Sequence, residues 1–189
     1  MSVLGKEFYE RDTETVSKDL LGKILVRRLG DGLLGGIIVE TEAYFGADDP
    51  ASRAFHGRKR YNLVMFGEPG HLFIYNVHQY WMLNFIAHDD GVGGILIRAI
   101  EPTMGLETMK ENRPVNRDRD LTNGPGKLTL ALGINKSLNG LSTTDDSCIV
   151  HVLNNELDFD IGTSYRIGVT RNLPEELRFY VKENRFVSR

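Results

Sequence analysis

The chain has 189 residues, 41% of them apolar and 26% charged, with a formal net charge of −3. This length suits one domain with a sizeable core, and the composition is that of an ordinary soluble globular protein. No apolar run nears membrane-spanning length, so no spanning segment is expected, and the start MSVLGKEFYERD lacks a signal-peptide pattern.

Asp12 or Thr13 is a candidate cap for a short helix from Thr13 to Leu21, stopped by Gly22. Lys23 to Leu29 reads as a strand, Gly30-Asp31-Gly32 as a turn, and the following stretch as the second arm of a hairpin. That arm, IIVETEAYFG from Ile37 to Gly46, alternates apolar and polar residues with period two. Ile37, Val39, Thr41 and Ala43 are expected on a core face, and Ile38, Glu40, Glu42 and Tyr44 on the opposite one. Two carboxylates and a tyrosine on one face admit two readings. The face is solvated, or it holds a carboxylate on a rigid strand to activate water.

Phe45 to Gly70 lacks periodicity and reads as a long loop, of the kind that carries binding. Within it, Arg53-Ala-Phe-His-Gly-Arg-Lys-Arg60 is strongly basic, with aromatics on either side. His71 to Val77, Tyr80 to Ala87 and Gly94 to Glu101 are predicted strands, the first two joined by a tight turn. Arg98 is the charged residue within the third, either snorkelling at an edge or pairing with the carboxylates. Pro102 is placed where a helix begins, with Thr103 to Asn112 helical and Arg113 to Asp120 a surface loop. Asn123-Gly-Pro-Gly-Lys127 precedes another helix, capped by Asn123, whose start with its lysine suits phosphate. It is not a Walker A loop. Further strands are expected around Ile149 to Leu153, at Tyr165 to Val169 and at Leu177 to Val181.

The net charge alone argues against a nucleic-acid partner, but its distribution does not. Between Lys136 and Arg166 there is no basic residue and there are five acids, Asp145, Asp146, Glu156, Asp158 and Asp160, so the remainder of the chain carries +2. The single cysteine, Cys148, cannot form an internal disulfide or a cysteine-based zinc site, and a reducing, cytoplasmic setting is expected. The five histidines, His56, His71, His78, His88 and His151, show no pair at helical ligand spacing, so no metal is expected.

Taken in order, LLGKILVRRL, IVETEAYFG, MFGEPGHLFIY, LIRAIEP with GLETM, NGPGKL with INKS, RIGV and LRFYV make the sequence resemble the alkyladenine (3-methyladenine) DNA glycosylase family of the mammalian and bacterial type. The resemblance extends across nearly the whole chain. It implies a single mixed α/β (α+β) domain over residues 1–189, with a curved antiparallel sheet and flanking helices, similar to the formyltransferase C-terminal domain. It also implies a monomeric, monofunctional glycosylase without metal or cofactor. Such an enzyme flips alkylated or deaminated purines, of the 3-methyladenine and hypoxanthine class, out of duplex DNA and hydrolyses the N-glycosidic bond to leave an abasic site.

By the same match Glu42 is the general base, held ionised by Arg98, which positions the water together with the Ile167 carbonyl. Tyr44 and Tyr75 sandwich the flipped base, and Asn84 crowds the 2-amino group of guanine. Arg53 stands where the family has a base-contacting histidine. His56, Arg58, Lys59, Arg60 and Lys127 are expected on DNA. The family's intercalating tyrosine-glycine has no clear match, which leaves His78, or failing it Val77, as the plug. The alternative is a catalytically silent nucleic-acid-binding module on the same fold.

Overall fold

The computed structural model describes residues 1–188. Helix α1 (Lys6–Tyr9) leads into α2 (Thr13–Asp19), whose Asp12 cap accepts the Thr15 N–H at 2.8 Å. Eight strands follow: β1 (Ile24–Leu29), β2 (Gly32–Tyr44), β3 (Leu72–Val77), β4 (Tyr80–Ile86), β5 (Gly94–Met104), β6 (Val150–Leu153), β7 (Ile161–Ser164) and β8 (Arg178–Val181). They form one antiparallel sheet in the order β3-β4-β5-β2-β1-β6, with β8 on the far half of β2 and β7 outside it. Helices α3 (Leu106–Asn112) and α4 (Pro125–Ala131) complete an α+β architecture.

The 13 residues of β2 are the spine of the sheet. Its first half pairs with β1, its second half with β8, and β5 runs along its other side. Simple alternation does not survive along it. Ile38 pairs with Ile100 and Glu40 with Ala99, so Val39 is the extra residue of a β-bulge. The bulge moves the apolar set from one face to the other. Ile38 and Ala43 lie in the main core, and Thr41 bonds the Ser17 carbonyl of α2 at 2.8 Å. Val39, expected in that core, instead packs with Ala99 and Phe186 in a small cluster on the opposite side, Ile37 against it. The carboxylates Glu40 and Glu42 stay on the side predicted, but both are fully buried rather than solvated.

Several expected boundaries differ for local reasons. Pro102 continues β5 rather than starting a helix, opposite Gly36, where β4 no longer pairs with β5 and no amide donor is required. Gly105, at φ 69°, then turns the chain into α3. Asn123 does not cap α4: Gly124 is the capping residue, and the Asn123 amide oxygen accepts from Lys127 Nζ at 2.8 Å. The long loop contains a 3₁₀ turn, Arg60–Phe66, and is stapled by buried Asn62, whose amide donates to the Arg53 carbonyl at 2.7 Å and the Gly57 carbonyl at 3.1 Å. Tyr165 to Val169 is a loop, not a strand; the strand lies just before it, at β7. No helix among the described residues is long and apolar enough to cross a membrane.

Candidate active site

Two residues apart on β2, Glu40 and Glu42 share Arg98 of β5. Its Nε donates to Glu40 Oε1 at 2.8 Å, and its Nη1 lies 3.3 Å from Glu42 Oε1. Glu40 also accepts from Arg178 Nε at 2.7 Å, Ser188 Oγ at 2.7 Å and the Ser188 N–H at 2.6 Å. Four donors, two of them from guanidinium groups, leave it fully engaged. Glu42 receives the Ile167 N–H at 2.7 Å on Oε1 and the Tyr44 hydroxyl at 2.7 Å on Oε2. Burial pushes the Glu42 carboxyl above the ordinary glutamate range, although Arg98, the Ile167 N–H and the Tyr44 hydroxyl all oppose it. Arg98 thus opposes the effect of burial on Glu42 without cancelling it. Ile167 does reach the site, but with its amide N–H on the carboxylate.

Above this pair lies a cleft of about 500 Å³. Tyr44, Arg98 and Ile167, which all bond Glu42, form part of its lining, together with Arg53, His56, Tyr75 and Val77. Glu42 itself is wholly covered beneath them. Asn84 sits deeper, lining a small recess with Tyr44, Arg53 and Tyr75, its amide donating to the Phe73 carbonyl at 3.0 Å and the Met82 carbonyl at 3.2 Å. Of the catalytic and base-contacting candidates named from the sequence, Tyr44, Arg53, Tyr75, Arg98 and Ile167 thus line one cleft, with Glu42 covered and Asn84 in the recess that shares Tyr44, Arg53 and Tyr75. Arg53 adds a positive charge to it, with its guanidinium 4.7 Å from the Tyr75 ring centroid.

The supports of this cleft were not legible in advance. Arg166 and Asp49 form a doubly bonded ion pair, at 2.6 and 2.8 Å, with both side chains fully buried. Arg166 also donates to the Ala43 carbonyl at 3.0 Å and lies 4.6 Å from the Tyr44 ring centroid. Burial would raise the Asp49 carboxyl, but Arg166 with the Phe45 and Ala51 amides holds it below the ordinary aspartate range. One ion pair therefore pins the basic loop, the end of β2 and the Ile167 loop to one another. Arg178 and Ser188, which complete the Glu40 network, were also missed. An arginine inside an apolar strand, as at Arg178, is the one signal that pointed to it.

The expected DNA-facing residues are more dispersed. His56 and Val77 line the cleft, whereas Lys59 and Arg60 line a neighbouring groove with Tyr61 and Lys136. Arg58 is exposed, its guanidinium 5.3 Å from the Phe66 ring centroid. His78 is exposed at the tip of the β3–β4 hairpin in the left-handed region, φ 53°, and does not line the cleft. Lys127 lies in a separate pocket.

A family model described as methylpurine-DNA glycosylase (MPG) matches residues 7–185. Full-length relatives include proteins from Clostridium perfringens strain 13 (42% identical, 98% of each chain covered), Chlorobium phaeobacteroides strain BS1 (41%, 100% of this chain and 96% of the relative) and Methanoculleus marisnigri (42%, 98% of each). Each bears the name "putative 3-methyladenine DNA glycosylase". With a match across nearly its whole length, this chain belongs to the methylpurine-DNA glycosylase family and is a DNA glycosylase, a hydrolase of the N-glycosidic bond.

Proposed function

We propose that the protein removes alkylated or deaminated purines, of the 3-methyladenine and hypoxanthine class, from duplex DNA by flipping the damaged nucleotide into the cleft. The observation that carries this reading is a buried carboxylate whose hydrogen-bond partners form the lining of a tyrosine-flanked cleft. The flipped base would stack on Tyr44 and Tyr75, whose rings favour electron-poor or cationic purines. Asn84, in the recess below, would crowd a 2-amino group and so exclude guanine.

Glu42 is the general base in this scheme. Its Oε2 accepts one hydrogen bond, from the Tyr44 hydroxyl, and keeps a second lone pair for a water molecule. As the glycosidic bond breaks, its electron pair leaves with the base and positive charge grows on the sugar. Water attacks C1′ and gives a proton to Glu42, which also stabilises the cationic transition state. Arg98 holds the carboxylate in place, and main-chain atoms at Ile167 border the path of the water. Lys59, Arg60 and Lys127 would contact phosphates. The β3–β4 turn would enter the gap left in the stack, with His78 as first candidate and Val77 as second.

The reading is tested by incubating the protein with duplexes carrying 3-methyladenine or hypoxanthine, then cleaving with alkali to reveal abasic sites. Strand breaks that require both lesion and Glu42 are expected. Tight binding without breaks would favour the silent binding module instead.

A further inference from the structure

Outside the cleft, unbalanced charge collects in a solvent-open pocket of about 220 Å³ lined by Arg117, Arg119, Asp120, Asn123, Lys127 and Arg185, with Val187 as its one apolar residue. Four cations face one carboxylate there, an excess of three positive charges. The cations come from three separate segments of chain: the loop after α3, helix α4, and the stretch after β8. Asp120 organises rather than neutralises them, since its carboxylate holds Arg117 Nε at 2.6 Å and has Arg119 Nε at 4.0 Å. Lys127 is fixed by Asn123, and the Arg185 guanidinium lies 5.0 Å from the Phe186 ring centroid.

The pocket is tied to the active site by backbone. Asn123 forms an isolated bridge to Ala99, the residue after Arg98. Phe186, beside Arg185, packs on the same Ala99. Pro125, between Asn123 and Lys127, lines the cleft. Planar guanidinium groups that converge on an open, mainly polar pocket suit the paired oxygens of a phosphodiester, and the lining holds no aromatic ring on which a base could stack. The geometry points to a second backbone subsite, in which Arg117, Arg119 and Arg185 join Lys127 around a phosphate of the strand that enters the cleft past Pro125.

This inference rests on the glycosylase reading for its ligand, and the test separates the two. Binding of a labelled lesion duplex is measured against salt for the native protein and for the paired change Arg119→Gln with Arg185→Gln. Losing one phosphate contact should lower the slope of log affinity against log salt by about 0.9, with a roughly tenfold loss of affinity at moderate salt. The loss should appear in affinity and not in the single-turnover rate at saturating enzyme. An unchanged slope overturns the subsite. So does a fall in the saturated rate, which would place these residues in the chemistry. If equilibrium dialysis shows that the change weakens inorganic phosphate binding while the DNA slope is unaltered, the pocket serves free anions and the proposal also fails. Should the paired change unfold the protein, Arg185→Gln alone, at an exposed position, is read in the same way. A native protein that shows the slope but releases no base would refute the glycosylase reading while leaving the subsite standing.

Discussion

Glu40 and Glu42 lie on one strand, both fully buried and both in contact with Arg98, yet they occupy opposite kinds of surroundings. Around Glu40 every neighbour is a donor from the protein's own framework, including two guanidinium groups and both polar atoms of Ser188. Around Glu42 the partners are a tyrosine hydroxyl, one loop amide and the more distant Arg98 nitrogen, and all three residues border the cleft. A carboxylate saturated with charge-assisted bonds is a structural anchor, whereas one held by mostly neutral donors keeps its basicity. Burial raises the proton affinity of Glu42 because its single cation does not fully compensate. Sequence spacing cannot make this distinction, since both glutamates occur in the same VETEAY run.

The comparison is broken most forcefully at Glu40. Glu40→Gln leaves Arg98 and Arg178 buried without their carboxylate, and removing one partner of such a network costs about 3–5 kcal/mol. Urea denaturation should show that loss, with any decline in base release following from it. Glu42→Gln should do the reverse. Base release falls by at least about a hundredfold, while binding to a stable abasic analogue survives. If Glu40→Gln proves more damaging to chemistry in folded protein, the roles of the two carboxylates are exchanged.

Acidity sharpens the contrast. A general base must be ionised, so activity should rise with pH through a point above the ordinary glutamate value. The folded state binds this proton more tightly than the unfolded chain does. Glu42 therefore favours the fold at low pH, and that contribution is lost as pH rises through its raised value. Tyr44→Phe removes a donor to the charged form and should move the acid limb of the pH–rate curve further upward, as a pH profile at saturating substrate would reveal.

Smaller effects concern the periphery. His78→Ala should slow excision from a fully paired duplex more than from a mismatched one, where less unstacking is needed. Equal slowing on both would indicate a defect in the cleft, and no slowing would shift the role to Val77. Neutralising Asp158 and Asp160 should change DNA affinity least of all, because neither lines the cleft, the basic groove beside it or the Lys127 pocket. A large loss on titration would mean that the charge map is misassigned.

The site's chemistry was more legible than its support. Periodicity revealed β2 and put both carboxylates on one side, and the basic loop was visible as a charge run. The bulge at Val39 was not, because an extra residue leaves the apolar-polar pattern intact while reversing which half faces the core. Tyr165 to Val169 looked like a strand by composition, but the Arg166–Asp49 pair draws it into a loop, and a contact between residues 117 apart has no local signature. Asn123 resembled a cap for the opposite reason: its competing partner, Lys127, lies within its own segment, and sequence alone does not rank the two bonds.

Glu40 and Ser188 are joined across 148 residues, and Ser188 also accepts from Arg98 Nη2 at 3.1 Å. Contacts of such long sequence separation form late, because the intervening chain must first be ordered. Until the C-terminal residues dock, Glu40 lacks its two Ser188 donors and Arg98 lacks the Ser188 oxygen that helps to fix its direction. Competence for chemistry should therefore lag behind the appearance of β-structure during refolding, and the nascent chain gains it only after residue 188 has been made.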